Sequence, residues 1–197
     1  MIKVGLTGNI AAGKTEVKKL FEKHGVKTIC ADSIVHELLE NNEELFYNIS
    51  KDFCDVDIFS ENKIDRKKLG KIVFSNEDKK KKLEGLIHPL VIKEINHFYN
   101  KNYDEKILIV DIPLLFEGKF EYLFDRILLV YASDDIRFER IKKRNNFEDE
   151  YIKKIMNSQF SQEEKKKKAD FIIVNENKTL DNLEKEVIKL IEKIKWF

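Results

Sequence analysis

Cysteine is nearly absent from this chain. Cys30 and Cys54 are the only two in 197 residues. They make no CxxC pair and no metal-like spacing, which argues against a disulfide framework or a zinc ribbon; reduced thiols in a cytoplasm are expected. Long hydrophobic runs are missing too. The longest, such as ILIV at 107–110, are strand-sized, so no membrane association is expected. The amino terminus enters IKVGL directly, without the basic segment and apolar stretch of a secretory signal. Neither charge is in excess. Lysine and arginine total 37 against 36 acids, a formal net charge of +1, so no global basic field points to nucleic acid. His24, His36, His88 and His97 form no metal-ligand constellation.

What is present is 42% hydrophobic and 37% charged residues, the balance of a soluble globular chain with a heavily charged surface. The length suits one domain, with room for an inserted subdomain. Short apolar runs at Ile2–Leu6, Lys27–Cys30, Lys106–Val110, Arg126–Tyr131 and Phe171–Val174 read as strands. Between and after them apolar residues recur at three- and four-residue spacing, as in Val17, Leu20 and Phe21, or Leu183, Val187, Leu190, Ile191 and Ile194. Strands separated by helices predict an α/β fold with a parallel central sheet covered on both faces. From about Ile34 to Tyr103 the patterns are mainly helical, which predicts a helical insertion, with His88-Pro89 shaping a turn.

One motif carries chemistry outright. Gly8, Gly13, Lys14 and Thr15 match G-x-x-x-x-G-K-[ST], with an apolar strand before and an amphipathic helix after. The glycines let backbone N–H groups turn toward phosphate oxygens. Lys14 adds a positive charge, and the Thr15 hydroxyl is suited to Mg²⁺. Chance alone produces this pattern in roughly two of a thousand such chains. A second match, Asn62-Lys63-Ile64-Asp65, fits the guanine-reading NKxD pattern. It is rejected, because it lies in the helical insertion with no strand expected before it.

The phosphate loop leaves the acceptor open: water for a switch, a hydroxyl for a kinase. Asp32 follows the second strand, where a base for a hydroxyl belongs, although the same position suits a helix cap shared with Ser33. Asp111 ends the third core strand and is the expected partner of Mg²⁺, directly or through water. Glu117 is either a second carboxylate or a surface residue. The chain has only 5 arginines, yet three fall at 137, 140 and 144. They read as one helix face, opposite Ile136 and Ile141, poised to close over phosphates. The KKKK runs at 79–82 and 165–168 read as solvated helix faces.

Taken together, GLTGNIAAGKT, ICADS, Arg66 in KIDRKKLGKIVF, LIHPLV, DIPLLFE, RFERIKKRN and QFSQEEKKKKADFIIVN resemble the dephospho-CoA kinase family in order and spacing, from Val4 to about Asn175. The resemblance implies a three-layer P-loop kinase: a core over 1–33, 104–134 and 169–197, a CoA-binding insertion over about 34–103, and a lid over about 135–168. It implies ATP and Mg²⁺ as cofactors, dephospho-CoA as substrate, and transfer to the 3′-hydroxyl of its ribose. A monomer or small homo-oligomer in the cytoplasm is expected, with no nucleic acid or membrane partner. The implied catalytic set is Asp32, Lys14 and Arg140. Gly8, Ala11, Ala12, Gly13, Lys14, Thr15, Glu16, Arg140 and Arg144 would bind the nucleotide, with Thr15 and Asp111 on the metal. Asp32, His36, Arg66, His88, Pro113 and Leu114 would meet the substrate.

The chain departs from the family pattern at four places. Cys30 replaces the first acid of a D-A-D motif, His36 stands where an arginine is usual, Asn9 stands where glycine is common, and Thr15 stands where serine is common. A nucleoside or nucleoside-monophosphate kinase is the nearest alternative. A nucleotide-gated switch and a lysine-rich nucleic-acid binder are weaker ones.

Overall fold

The computed structural model describes residues 1–60, 63–145, 147–176 and 178–196. The chain forms two compact units, Met1–Ile29 with Asn102–Phe197, and Cys30–Lys101.

The elements follow in chain order: β1 (Ile2–Thr7), α1 (Lys14–Lys23), β2 (Lys27–Cys30), α2 (Ala31–Asn41), α3 (Glu43–Asp52), β3 (Phe59–Ser60), β4 (Lys63–Ile64), α4 (Arg66–Ser75), α5 (Glu77–Lys101), β5 (Ile107–Asp111), β6 (Arg126–Tyr131), α6 (Asp134–Asn145), α7 (Asp149–Asn157), α8 (Gln162–Lys168), β7 (Phe171–Val174) and α9 (Leu180–Lys195). The central sheet has the order β2-β5-β1-β6-β7. β1 runs parallel to both β5 and β6, and β6 parallel to β7.

The apolar runs of β1, β5 and β6 became strands because both faces of the sheet are buried at its centre, whereas β7 alternates buried and exposed residues and β2 is only partly buried. Val4, Leu6, Ile107, Ile109, Leu128 and Val130 join Val17, Leu20 and Phe21 of α1 and Leu183, Val187, Ile191 and Ile194 of α9 in one core. Residues of opposite parity, Leu108, Val110 and Leu129, are equally buried on the other face. There a Cβ on Gly5 would come within 2.6 Å of Leu115 and 2.7 Å of Phe124. Alternate side chains leave a strand on opposite faces, so a continuous apolar run is what a doubly covered strand requires.

β1 is flanked by β5 on one side and β6 on the other, so the chain order reverses at its carboxyl end. That is where open α/β sheets place ligands.

The smaller unit is organised around α5, against which α2, α3 and α4 pack. Side-chain caps set the starts of α3 and α4. Asn42 accepts from Leu45 N–H at 2.8 Å, and Asp65 accepts from Lys67 and Lys68 N–H at 2.9 and 3.1 Å. The expected turn at His88-Pro89 is not formed: α5 continues through Pro89 to Lys101. Ile87, Val91, Ile95 and Tyr99 form one buried stripe across the proline, and that burial outweighs the loss of a helical hydrogen bond. The expectation of no strand before Ile64 also fails, because β3 and β4 form a small antiparallel hairpin. The NKxD match nevertheless has a local explanation. Asn62 lies outside the described residues, and Asp65 is the cap of α4.

Candidate active site

The strand-to-helix loop at the carboxyl end of β1 has a backbone that few residue types tolerate. Gly13 is the N-cap of α1 in the left-handed region, with φ 92°. A Cβ there would collide with the side-chain amide of Asn175. Gly8 is needed for a different reason, since a Cβ would lie 2.7 Å from the Val130 carbonyl. Ala11 is left-handed without being glycine, at φ 61°. That conformation costs about 1–2 kcal/mol and persists only where its surroundings enforce it. α1 opens with no side-chain cap on its first N–H groups. An uncapped helix start beneath a glycine-shaped loop fits an anion.

The β1–β5 register places Asp111 opposite Leu6, two residues before the loop. Asp111 is only 4% exposed, and its carboxylate pairs with the Lys14 ammonium. Each charge is thereby compensated in a site that excludes most water. Beyond Asp111, the Pro113 carbonyl accepts from the Thr7 hydroxyl at 3.1 Å, and Leu114 is exposed. Thr15 and Glu16 lie exposed on the first turn of α1. The described residues contain no cluster of three or more histidine, cysteine, aspartate or glutamate side chains able to hold a metal alone. The Asp111 carboxylate and the Thr15 hydroxyl are hard oxygen donors, the kind that Mg²⁺ takes.

The loop is gripped from outside by residues far along the chain. Arg137 Nε donates to the Ile10 carbonyl at 3.0 Å, while its Nη1 pairs with Asp134 at 2.6 Å. Arg140 donates to the Ala11 carbonyl at 3.2 Å and to the Asn175 carbonyl at 2.9 Å. The Asn175 side chain donates to the Ala12 carbonyl at 3.0 Å. Asn9 donates to the Phe160 carbonyl at 2.8 Å, and the Ile10 N–H donates to the Gln159 side chain at 2.9 Å.

These contacts correct two sequence expectations. The face that carries arginines 137, 140 and 144 does not lie opposite Ile141. Arg137 is buried together with Ile141, one turn away, whereas Arg144 is exposed and donates to Asn145 at 2.8 Å. Burial pushes the Arg137 guanidinium below its ordinary value, and Asp134 opposes that shift. Nor is 165–168 a wholly solvated run. Lys165 is fully buried and pairs with Glu117 at 2.8 Å, while the three lysines after it are exposed. Burial lowers the pKa of Lys165, and Glu117 counteracts it. The sequence pattern assigns no role at the loop to Asn9, Gln159, Phe160 or Asn175. One local signal was visible there: Ser161 and Glu164 form a capping box that fixes the start of α8 next to Gln159 and Phe160.

In the smaller unit, Asp32 and His36 sit one turn apart on the exposed side of α2, away from the buried Ala31, Ile34 and Leu38. Asp32 is not the helix cap. That position is Cys30, and no side chain bonds there. Arg66 is the exposed first residue of α4. His88 is half-buried on α5, and burial lowers its pKa against the opposing effect of Glu84.

The profile of the dephospho-CoA kinase family matches residues 2–181. The chain belongs to the dephospho-CoA kinase family. The dephospho-CoA kinase of Fusobacterium nucleatum subsp. nucleatum is 39% identical over 194 residues, 97% of each chain. A solved dephospho-CoA kinase from Campylobacter jejuni is 36% identical with a TM-score of 0.72, covering 98% of this chain and 96% of its own. A shikimate kinase from Bacteroides thetaiotaomicron, 15% identical at a TM-score of 0.53 over 97% and 98% of the two chains, shares the fold alone.

Members of this family are kinases, enzymes that transfer a phosphoryl group to an alcohol on a small molecule. The three-layer P-loop architecture read from the sequence is the architecture found. No helix among the described residues is long and apolar enough to cross a membrane.

Proposed function

We propose that this chain transfers the γ-phosphoryl group of ATP to the 3′-hydroxyl of the dephospho-CoA ribose, forming coenzyme A and ADP. One observation carries the chemistry beyond family membership. A glycine-shaped, uncapped helix start presents Lys14 beside the buried carboxylate of Asp111 at the end of the neighbouring strand. That arrangement supplies, in one place, a cation for the transferring phosphate and an anion for its metal.

Thr15 and Asp111 are the residues that would hold Mg²⁺. Bound there, the ion would offset charge on the phosphate oxygens. Lys14 steadies the same oxygens, and Arg140, already seated on the loop carbonyls, extends the positive surface. Gly8, Ala11, Ala12 and Gly13 shape the loop, and Glu16 and Arg144 complete the nucleotide side of this reading. Asp32 accepts or polarises the proton of the ribose hydroxyl. Its support is the match to the second acid of the D-A-D motif and its exposure on α2. His36, Arg66, His88, Pro113 and Leu114 complete the substrate side, with residues 34–103 receiving the CoA moiety and 135–168 acting as the lid. A cytoplasmic monomer or small homo-oligomer accompanies this reading.

The test is coupled ADP release with ATP and Mg²⁺, offering dephospho-CoA, nucleosides and nucleoside monophosphates in parallel. ADP release that depends on dephospho-CoA is expected. A response to nucleosides or monophosphates without one to dephospho-CoA overturns the assignment.

A further inference from the structure

Lys165 and Glu117 are an ion pair that the catalytic scheme leaves unused. The Lys165 side chain is 0% exposed, that of Glu117 is 16% exposed, and their charged atoms are 2.8 Å apart. An ammonium and a carboxylate withdrawn from water gain little net stability from each other, so burial of the pair calls for another account.

The account lies in what Glu117 holds. Its Oε1 also accepts from the Phe160 N–H at 2.9 Å. The carbonyl of Phe160 in turn accepts from the Asn9 side chain at 2.8 Å, and the neighbouring Gln159 accepts from the Ile10 N–H at 2.9 Å. A chain of contacts therefore runs from the ion pair through residues 159–160 to the first half of the phosphate loop. The second half is held separately, by Arg140 on Ala11 and Asn175 on Ala12. Asn9 is needed for the first tether, because its side-chain amide is the group that donates to the Phe160 carbonyl.

We propose that Lys165 and Glu117 are positioning residues for nucleotide binding: together they fix residues 159–160, which hold Asn9 and Ile10 and so keep the phosphate loop in its binding shape. The inference rests on reading Gly8–Thr15 as the ATP-phosphate loop. It adds a set of residues that act on the nucleotide through the loop, without touching it.

The test uses the full chain and compares Lys165→Met, Asn9→Ala and the double variant Glu117→Gln/Lys165→Met. Binding of a non-hydrolysable ATP analogue with Mg²⁺ is measured by calorimetry, alongside KM for ATP, KM for dephospho-CoA and the thermal midpoint. Lys165→Met leaves a buried carboxylate without its counter-charge and is expected to weaken analogue binding about tenfold. Asn9→Ala removes one tether and is expected to weaken it about threefold. KM for ATP rises in parallel and KM for dephospho-CoA stays unchanged, a split that simple loss of stability does not produce. The double variant, neutral at both positions and still able to accept from Phe160, is expected to recover most of the binding.

Wild-type analogue affinity in folded Asn9→Ala and Lys165→Met overturns the proposal, as does a double variant that binds no better than Lys165→Met. If Lys165→Met does not fold, Asn9→Ala and the double variant decide, with wild-type affinity in Asn9→Ala the overturning result. A wild-type chain that binds the analogue but ignores dephospho-CoA refutes the acceptor assignment and leaves this test standing. A wild-type chain that does not bind the analogue overturns both.

Discussion

Asp111 ends one strand of the central sheet and Asp32 follows another, and the fold gives them opposite surroundings. Asp111 is buried and already paired with Lys14, as a charge in that setting must be. Asp32 is exposed on the first turn of α2. Replacing Asp32 by Asn keeps size and polarity but removes proton affinity. On the proposed mechanism, Asp32→Asn lowers kcat by about 10²- to 10⁴-fold while analogue binding is retained, as steady-state kinetics and calorimetry would show. Full turnover in that variant sinks the base assignment. At this scale the sequence was legible where chemistry is local. The roles of Gly13 and Gly8 follow from a tight turn and a close approach, and the motif spacing announces both. It was not legible for Lys165, which is one buried lysine in a run of four whose other members are exposed. Which of the four turns inward depends on where Glu117 lies, and no local pattern encodes that.

The helix α5 shows local preference and tertiary packing in conflict. Pro89 removes the N–H that would bond to the Gly85 carbonyl, and inside a helix a proline costs about 3 kcal/mol relative to alanine. The buried stripe of Ile87, Val91, Ile95 and Tyr99 holds the helix together across it. Pro89→Ala should therefore stabilise the chain. The gain is reduced to about 2 kcal/mol, because alanine also loosens the unfolded chain. Thermal denaturation should show a midpoint roughly 4–8 °C higher. A lower midpoint would mean that the proline ring packs in a way alanine does not reproduce. The short hairpin of β3 and β4 escaped the sequence reading for the complementary reason. Two-residue strands are too short to show any alternation, and only their pairing defines them.

For the whole molecule, near-neutrality is a balance of many charges, 37 basic against 36 acidic. Hydrogen bonds from cationic side chains depress several surface carboxylates: Lys79 on Asp55, Lys68 on Asp57, and Lys23 followed by His24 on Glu184. Ser161 does the same to Glu164. A folded pKa below the unfolded one gives stability that is present above the ordinary values of 3.8 and 4.5 and is lost as pH falls through the folded values. Asp55, Asp57 and Glu164 are exposed and Glu184 is half-buried at the surface, so each contribution is small and screened by salt. As the acids protonate, the basic residues also lose their counter-charges. The expected outcome is a thermal midpoint that is level near neutrality and falls below about pH 4.5, with part of the loss recovered in salt. A midpoint unchanged down to pH 3 would contradict it. The sequence by itself determined the five strands of the central sheet and the phosphate loop, because apolar runs and glycine geometry act between near neighbours in the chain. Only the tertiary structure decided what grips that loop. Asn9 meets Phe160, Ala12 meets Asn175, and Glu117 meets Lys165. Such pairs join distant positions, and sheet order and helix packing select them from many chemically equivalent candidates.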